Sequence, residues 1–322
     1  MHRSRQFLGS AVGRRSRDRR AATPPPGGES SRRPCPCGSG KRYRNCHGAA
    51  DGAGVLVTRP FQGLPGECDW IALRELVPSA TAPLVLADPA QADRPVTLAT
   101  VLPMALPGLV RDDGSIMLGL QVHGRSNDVS RDIGHALEEA LAAGPGTMLQ
   151  LSGLPGPGPR LQDLIGADPL EVTVREDFGF WVDDPDGGTA EVRASLERAN
   201  AAVMPTRRLS GVDAAYWCDA GEKAHLRWVM PYEEDTLLDA LARLSAAGEL
   251  GLGGRTRYVG SFRAHGRLVP VWDLPNDEPA QAWEQPAAAF ADRLAKSLTE
   301  TGPLSGAERR ARDGLRGRQL TL

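Results

Sequence analysis

Three cysteines and a histidine fall within thirteen residues near one end of the chain, and nothing else in its 322 residues restricts folding so tightly. The segment reads Pro34-Cys35-Pro36-Cys37-Gly38-Ser39-Gly40-Lys41-Arg42-Tyr43-Arg44-Asn45-Cys46-His47-Gly48. Three thiolates and one imidazole make up the tetrahedral donor set of a closed structural zinc site. Pro36 fixes the backbone between two near-neighbour thiols and helps both sulfurs face one point. Gly38 and Gly40 permit a tight turn whose amides can point back toward sulfur. Eight residues then bring Cys46 and His47 round from the opposite side. Lys41, Arg42 and Arg44 can offset the negative charge that three thiolates leave on a divalent ion. Together with Tyr43 they are the expected partner-binding surface. Four protein ligands leave no open coordination position, so one structural Zn²⁺ is expected in place of a catalytic one. The odd total of five cysteines, three of them clustered, favours metal in a reducing compartment over a disulfide framework.

The formal net charge of −2 conceals a division. Residues 1–50 carry twelve Lys/Arg against Asp18 and Glu29, a formal +10, which leaves 26 basic and 38 acidic residues, −12, for the rest. A basic arm on an acidic body is implied. Residues 1–33, centred on Pro24-Pro25-Pro26-Gly27-Gly28, cannot bury enough apolar surface to offset their ordering entropy and read as disordered. Arg14, Arg15, Arg17, Arg19 and Arg20 could give salt-sensitive affinity for nucleic acid or ribosomes, without interleaved aromatics to read a base sequence. A merely solvated arm is the other reading. The 41% hydrophobic content allows a packed core. No run approaches the roughly 20 apolar residues of a membrane span, and Phe7 to Gly13 is too short and polar for a signal segment. A cytoplasmic protein is expected.

Beyond Val55, helices and strands alternate irregularly. Asp69 is placed to cap a short helix through Trp70, Leu73, Leu76 and Val77, stopped by Pro78. Asn127 or Asp128 opens a second, with Val129, Ile133, Leu137 and Leu141 at four-residue spacing and Gly144-Pro145 beyond. Thr189 precedes a third that turns Val192, Leu196 and Val203 inward. A fourth runs from Asp235 to Ala247 and stops at Gly248. Pro286 sits in the first turn of a fifth, which buries Phe290, Leu294 and Leu298. Ser305 and Glu308 fit a capping box for an Arg-rich last helix. Strands are expected at Leu84–Leu86, Val96–Leu102, Ile116–Val122, Leu170–Val174, Phe178–Val182, Leu226–Met230, Thr256–Phe262 and Leu268–Trp272, with a hairpin turn at Gly266-Arg267. The fold class is therefore α+β, a mixed or antiparallel sheet with packed helices, preceded by a small zinc knuckle and the basic arm. A strand, polar loop and helix ending in Ala-Ala-Gly occurs at 142–144 and again at 246–248, which suggests an internal duplication. The divisions are 1–33 arm, 34–48 zinc module, 49–59 linker, 60–300 α+β domain and 301–322 Arg-rich C-terminal helix or tail.

The order Cys-x-Cys, eight residues, Cys-His, with its Pro-Cys-Gly-Ser-Gly-Lys-x-Tyr core, closely resembles the SEC-C motif. That motif ends the bacterial preprotein translocase motor SecA and also occurs as a detached module in other bacterial proteins. In the family the three cysteines and the histidine are zinc ligands, which carries over to Cys35, Cys37, Cys46 and His47. The SecA module contacts the chaperone SecB, and ribosomes have also been implicated. The resemblance thus implies docking to a chaperone-like or ribosomal partner. Nothing of the motor's helicase-like core is present, so translocation does not carry over. The remainder, from Arg59-Pro60-Phe61-Gln62-Gly63-Leu64-Pro65-Gly66-Glu67-Cys68-Asp69-Trp70, resembles an actinobacterial family of unknown function that bears the same N-terminal module.

No catalytic motif stands out in the body. Gly38-Ser39-Gly40-Lys41 fails as a phosphate loop, because Cys35 and Arg42 stand where that pattern needs Gly and Ser/Thr. The Gly-rich run from Gly251 opens into a strand and reads as a turn. His123, Ser126 and Asp128 lie in a loop where caps are expected, and His135 with Glu138 and Glu139 reads as a solvated helix face. His225 and His265 read as isolated surface or half-buried side chains. Cys68 and Cys218 have acidic neighbours, which disfavours a thiolate, and read as buried packing thiols. The leading functional reading is an adaptor built on the zinc module, and the balance is against an enzyme. An active site within 60–300 is the alternative, served by Asp183-Asp184-Pro185-Asp186 or Glu233-Glu234-Asp235. Nucleic-acid or ribosome binding through the arm is the third.

Overall fold

A glycine, not an acid, starts the first helix. α1 (Glu67–Glu75) begins after Gly66, whose left-handed backbone (φ 67°, ψ 35°) sets the entry angle. Asp69, expected as its cap, lies inside the first turn and is only 7% exposed, because its carboxylate is drawn inward by partners described below. The computed structural model describes residues 56–121, 126–151, 153–183, 189–318 and 320. The basic arm and the zinc module lie outside the described residues. So does most of the linker, although its last residues are tied down: Val57 N–H donates to the Asn127 carbonyl at 2.9 Å.

Five short strands follow: β1 (Ala80–Leu84), β2 (Val96–Ala99), β3 (Gly108–Val110), β4 (Ile116–Gly119) and β5 (Thr173–Val174). They form a sheet in the order β3-β4-β2-β1-β5, in which β2 and β4 run parallel and the other neighbours antiparallel. The helix α2 (Val129–Ala142) packs across β3 and β4, burying Ile133, Ala136, Leu137 and Ala140. Asp128 caps it as expected, accepting the Ser130 N–H at 3.1 Å. Gly134 on this helix lets the following loop approach, since a Cβ there would stand 2.9 Å from the Pro159 carbonyl oxygen. A single turn, α3 (Leu161–Leu164), closes that loop. The strand expected at Phe178–Val182 is instead a tight helical turn, Gly179–Trp181. Its aromatics fold back on themselves, with Phe178 stacked on Trp181 at 4.3 Å and Trp181 Nε1 donating to the Val101 carbonyl.

The second half contains α4 (Ala190–Asn200), β6 (Thr206–Arg208), β7 (Ala215–Asp219), β8 (Ala224–Trp228), α5 (Glu234–Ala246), β9 (Arg257–Ala264), β10 (Arg267–Leu274), α6 (Glu284–Leu298) and α7 (Gly306–Arg316). Its sheet is antiparallel throughout, ordered β6-β7-β8-β10-β9. Thr189 caps α4 and Leu196 is buried, but Val192, expected inside, is 40% exposed. The β9–β10 hairpin turns at His265-Gly266, one residue earlier than expected. Both residues take positive φ (45° and 78°), as a two-residue hairpin of this hand demands. One face of the sheet packs on α5 and α6 through Trp228, Trp272 and Phe290, the last two rings meeting edge to face at 5.1 Å. The other face joins α1, α2 and the first sheet in a shared core that includes Trp70, Ile71, Leu98, Leu118, Val269 and Val271.

Each half carries a strand, loop and helix that runs into Ala-Ala-Gly, β4 with α2 and β8 with α5. The sheets around these units are wired differently, one mixed and one antiparallel. The last helix, capped by the expected Ser305–Glu308 box, is fastened to α5 by Arg312, which reaches Asp235 and Asp239. Beyond it, the Arg318 carbonyl accepts the Ser261 N–H and Leu320 N–H donates to the Ser261 carbonyl, so Arg318 and Leu320 meet β9 at that residue. Gly260 makes room: a Cβ there would come within 2.2 Å of the Arg318 oxygen.

Candidate functional site

Three acids of α1 point at the second sheet. Glu67 takes a bidentate pair from Arg59 (3.1 and 2.9 Å) and a third bond from Arg267 (3.1 Å). Asp69 takes another bidentate pair from Arg208 (3.1 and 3.0 Å), and the buried Tyr216 hydroxyl donates to it at 2.7 Å. Glu75 lies 2.7 Å from His265 Nε2. Burial works to raise the Glu67 carboxyl, but hydrogen bonds from Arg59 and Arg267 outweigh it and hold the group below the usual carboxylate range. The His265 hydrogen bond holds Glu75 down in the same way. Burial, reinforced by Asp69, pushes the Tyr216 phenol well above its ordinary value. Both oxygens of Glu67 and of Asp69 are held by arginines, so the seam is a structural clamp. Removing one partner from such a buried pair costs about 3–5 kcal/mol.

A different arrangement lies beside α2. Here the residues Met104, Ala105, Leu106, Pro107, Asp132 and His135 line a cavity of about 390 Å³, closed on its far side by Leu149 to Leu151 and by Gly153 and Pro155. The rim is strained. Met104 and Ala105 take φ of 56° and 53°, a conformation costing a non-glycine residue about 1–3 kcal/mol. Two successive turns impose it, with Ala105 N–H on the Leu102 carbonyl (2.9 Å) and Leu106 N–H on that of Pro103 (3.1 Å). Leu102 and Leu106 are buried against Ala99 and Met117, so the turn pins its two ends and projects Met104 outward, 81% exposed. Asp132 and His135 stand three residues apart on the facing side of α2, the direction in which helical side chains share a face. Both Asp132 oxygens lie near the Ser126 N–H (3.1 and 3.4 Å). The sequence signal for this rim was an apolar loop, Pro103-Met104-Ala105-Leu106-Pro107, where polar turn residues would be ordinary.

The expected metal ligands Cys35, Cys37, Cys46 and His47, and the expected partner-binding Lys41, Arg42, Tyr43 and Arg44, lie outside the described residues. Among the described residues, no group of three or more His, Cys, Asp or Glu is placed to hold a metal ion. Cys68 and Cys218 are buried free thiols, and burial pushes Cys68 up to about 12. Ser126 and Asp128 serve the α2 cap, Asp128 also pairing with Arg160 at 2.7 Å, while His123 is not among the described residues. His225 and His265 are not isolated: His225 lies 3.3 Å from Asp273 and His265 is in the seam. The acid run at Glu233 is consumed by arginines: Glu233 by Arg59 and Arg267, Glu234 by Arg263, Asp235 by Arg312. Asp183 pairs with Arg111 at 3.1 Å, and residues 184–186 are not described.

An α+β body preceded by a motif of zinc-binding type is thus the class that chain and fold define. Residues 34–49 match the SEC-C motif. Residues 60–322 match the family of unknown function DUF5926, and the chain belongs to that family. No curated protein and no solved structure matches it. Among the described residues no helix is long and apolar enough to cross a membrane.

Proposed function

We propose that the chain is an adaptor in which Cys35, Cys37, Cys46 and His47 hold one structural Zn²⁺. The surface around Lys41, Arg42, Tyr43 and Arg44 then docks a protein or ribosomal partner. The observation that carries this reading is the SEC-C match at 34–49, which includes a complete donor set. Three thiolates and an imidazole suit Zn²⁺ by softness and number, and no open position remains for chemistry. The metal would supply folding energy to a segment too short for a core of its own. Thiolate ligands fit a reducing, cytoplasmic setting. The +10 charge of residues 1–50 favours a second reading, in which the arm holds ribosomal or other nucleic acid by charge alone.

Metal analysis and binding to purified ribosomes and lysate proteins separate the two. The intact chain, Cys46→Ala and a chain starting at Val55 would be compared at low and moderate salt. The adaptor reading expects zinc, and a partner set lost with Cys46→Ala. Binding that survives Cys46→Ala but collapses with salt supports the arm. An unchanged metal content and partner set in Cys46→Ala would overturn the adaptor.

A further inference from the structure

We propose that the cavity beside α2 binds a small amphipathic cation: an apolar, ring-sized body carrying an ammonium or amidinium group. Its volume of about 390 Å³ falls in the small-molecule range, and Leu106, Pro107, Leu149, Leu151 and Pro155 give it largely apolar walls. Asp132 is the acid in that lining and is only 5% exposed. Among the described residues, the Ser126 N–H is the donor that both of its oxygens share, which leaves acceptor capacity for a further donor. Arg74 feels the Asp132 charge but makes no hydrogen bond to it: one nitrogen donates to the Leu120 carbonyl, and Nε lies 3.4 Å from Glu75 without a hydrogen-bond partner. A carboxylate among apolar walls gains most from a charged donor, and an anion there would meet like charge. His135 and Gln150, also in the lining, can orient the polar head.

The mouth points the same way. Met104 is soft and adaptable, and the left-handed pair at 104–105 holds it in the open when burial would be cheaper. Strained backbone of this kind persists where a ligand contact uses it. The described lining comes from residues between 104 and 155, so its test does not depend on the zinc ligands.

Tryptamine is a suitable probe, with indole as its neutral and indole-3-acetate as its anionic counterpart. Each would be titrated into the full chain to about 10 mM by ligand-observed NMR, a range suited to ligands of so few atoms. Tryptamine is expected to bind most tightly and indole-3-acetate least. Asp132→Asn retains an acceptor for the Ser126 N–H, and should weaken tryptamine about tenfold or more while leaving indole unchanged. Unchanged indole binding reports an intact cavity. Gln150→Trp, at an exposed position of the mouth, should weaken both tryptamine and indole. The proposal is overturned if tryptamine does not bind, if it binds no tighter than indole-3-acetate, or if neither substitution alters its affinity.

Discussion

The second sheet is built on two eight-residue strands and buries Trp228, Trp272 and Phe290 under its helices, whereas no strand of the first exceeds five residues. In the first sheet, pairing ends at a two-residue edge, and its loops carry Pro103, Pro107 and the proline run at 155–159. The left-handed Met104-Ala105 pair and the apolar-walled cavity belong to this irregular side. Positive φ is no rarer in the second half, where Ala214 and His265 take it singly among glycines such as Gly248 and Gly253, but among the described residues only Met104 and Ala105 are consecutive non-glycines in that conformation. Regular pairing goes where burial alone decides the structure. The consecutive costly pair, Met104-Ala105, lies on the rim of an opening.

The seam tests whether that contrast stops at architecture or extends to stability. Asp69→Ala removes the acceptor of the Tyr216 hydroxyl and leaves Arg208 only the exposed Asp213 at 3.8 Å, and should cost about 3–5 kcal/mol in urea denaturation. If the shared core binds both sheets into one cooperative unit, far-UV circular dichroism and tryptophan fluorescence will lose structure at one midpoint. Separate midpoints would show that the regular sheet outlives the irregular one. A smaller effect follows from pH. Glu67 and Glu75 have depressed folded values, so their contribution is present above the ordinary glutamate range near pH 4.3 and disappears as pH falls through the lower folded values. As pH falls from about 5 through those lower values the protein should lose stability, and Glu75→Gln should lose less over the same fall, by roughly 1 kcal/mol or under. An equal loss in both would remove Glu75 from the acid response. The smallest effect concerns backbone. Ala105→Gly should gain about 0.5–1 kcal/mol by relieving the left-handed strain, while Gly248→Ala, at φ 76°, should lose about 1 kcal/mol. Loss in both would show that Ala105 is not strained.

Helix periodicity and capping chemistry were legible because they are local. Asp128, Thr189 and the Ser305–Glu308 box all cap where the residues indicate. Asp69 misled for a tertiary reason: its partners Arg208 and Tyr216 lie 139 and 147 residues away. The strands β3 and β6 give little local signal because each has three residues, and Thr206-Arg207-Arg208 has no apolar alternation, whereas β7, Ala-Tyr-Trp-Cys-Asp, has a strand composition that was legible. Phe178–Val182 has strand composition, but its aromatics gain more by stacking on one another. The zinc-type motif needed only fifteen contiguous residues to be read. The cavity joins residues 104–107, 132–135 and 149–155, and no local pattern announces such a meeting.

Arg318 and Leu320 have a role beyond following the last helix. With Arg318 and Leu320 hydrogen-bonded to Ser261, the outer rim of the second sheet presents a covered edge at that point. Displacing residues 318–320 would strip the cover from an eight-residue edge strand and open its backbone to pairing with another molecule. Its first symptom would be self-association, arriving well before any loss of helix.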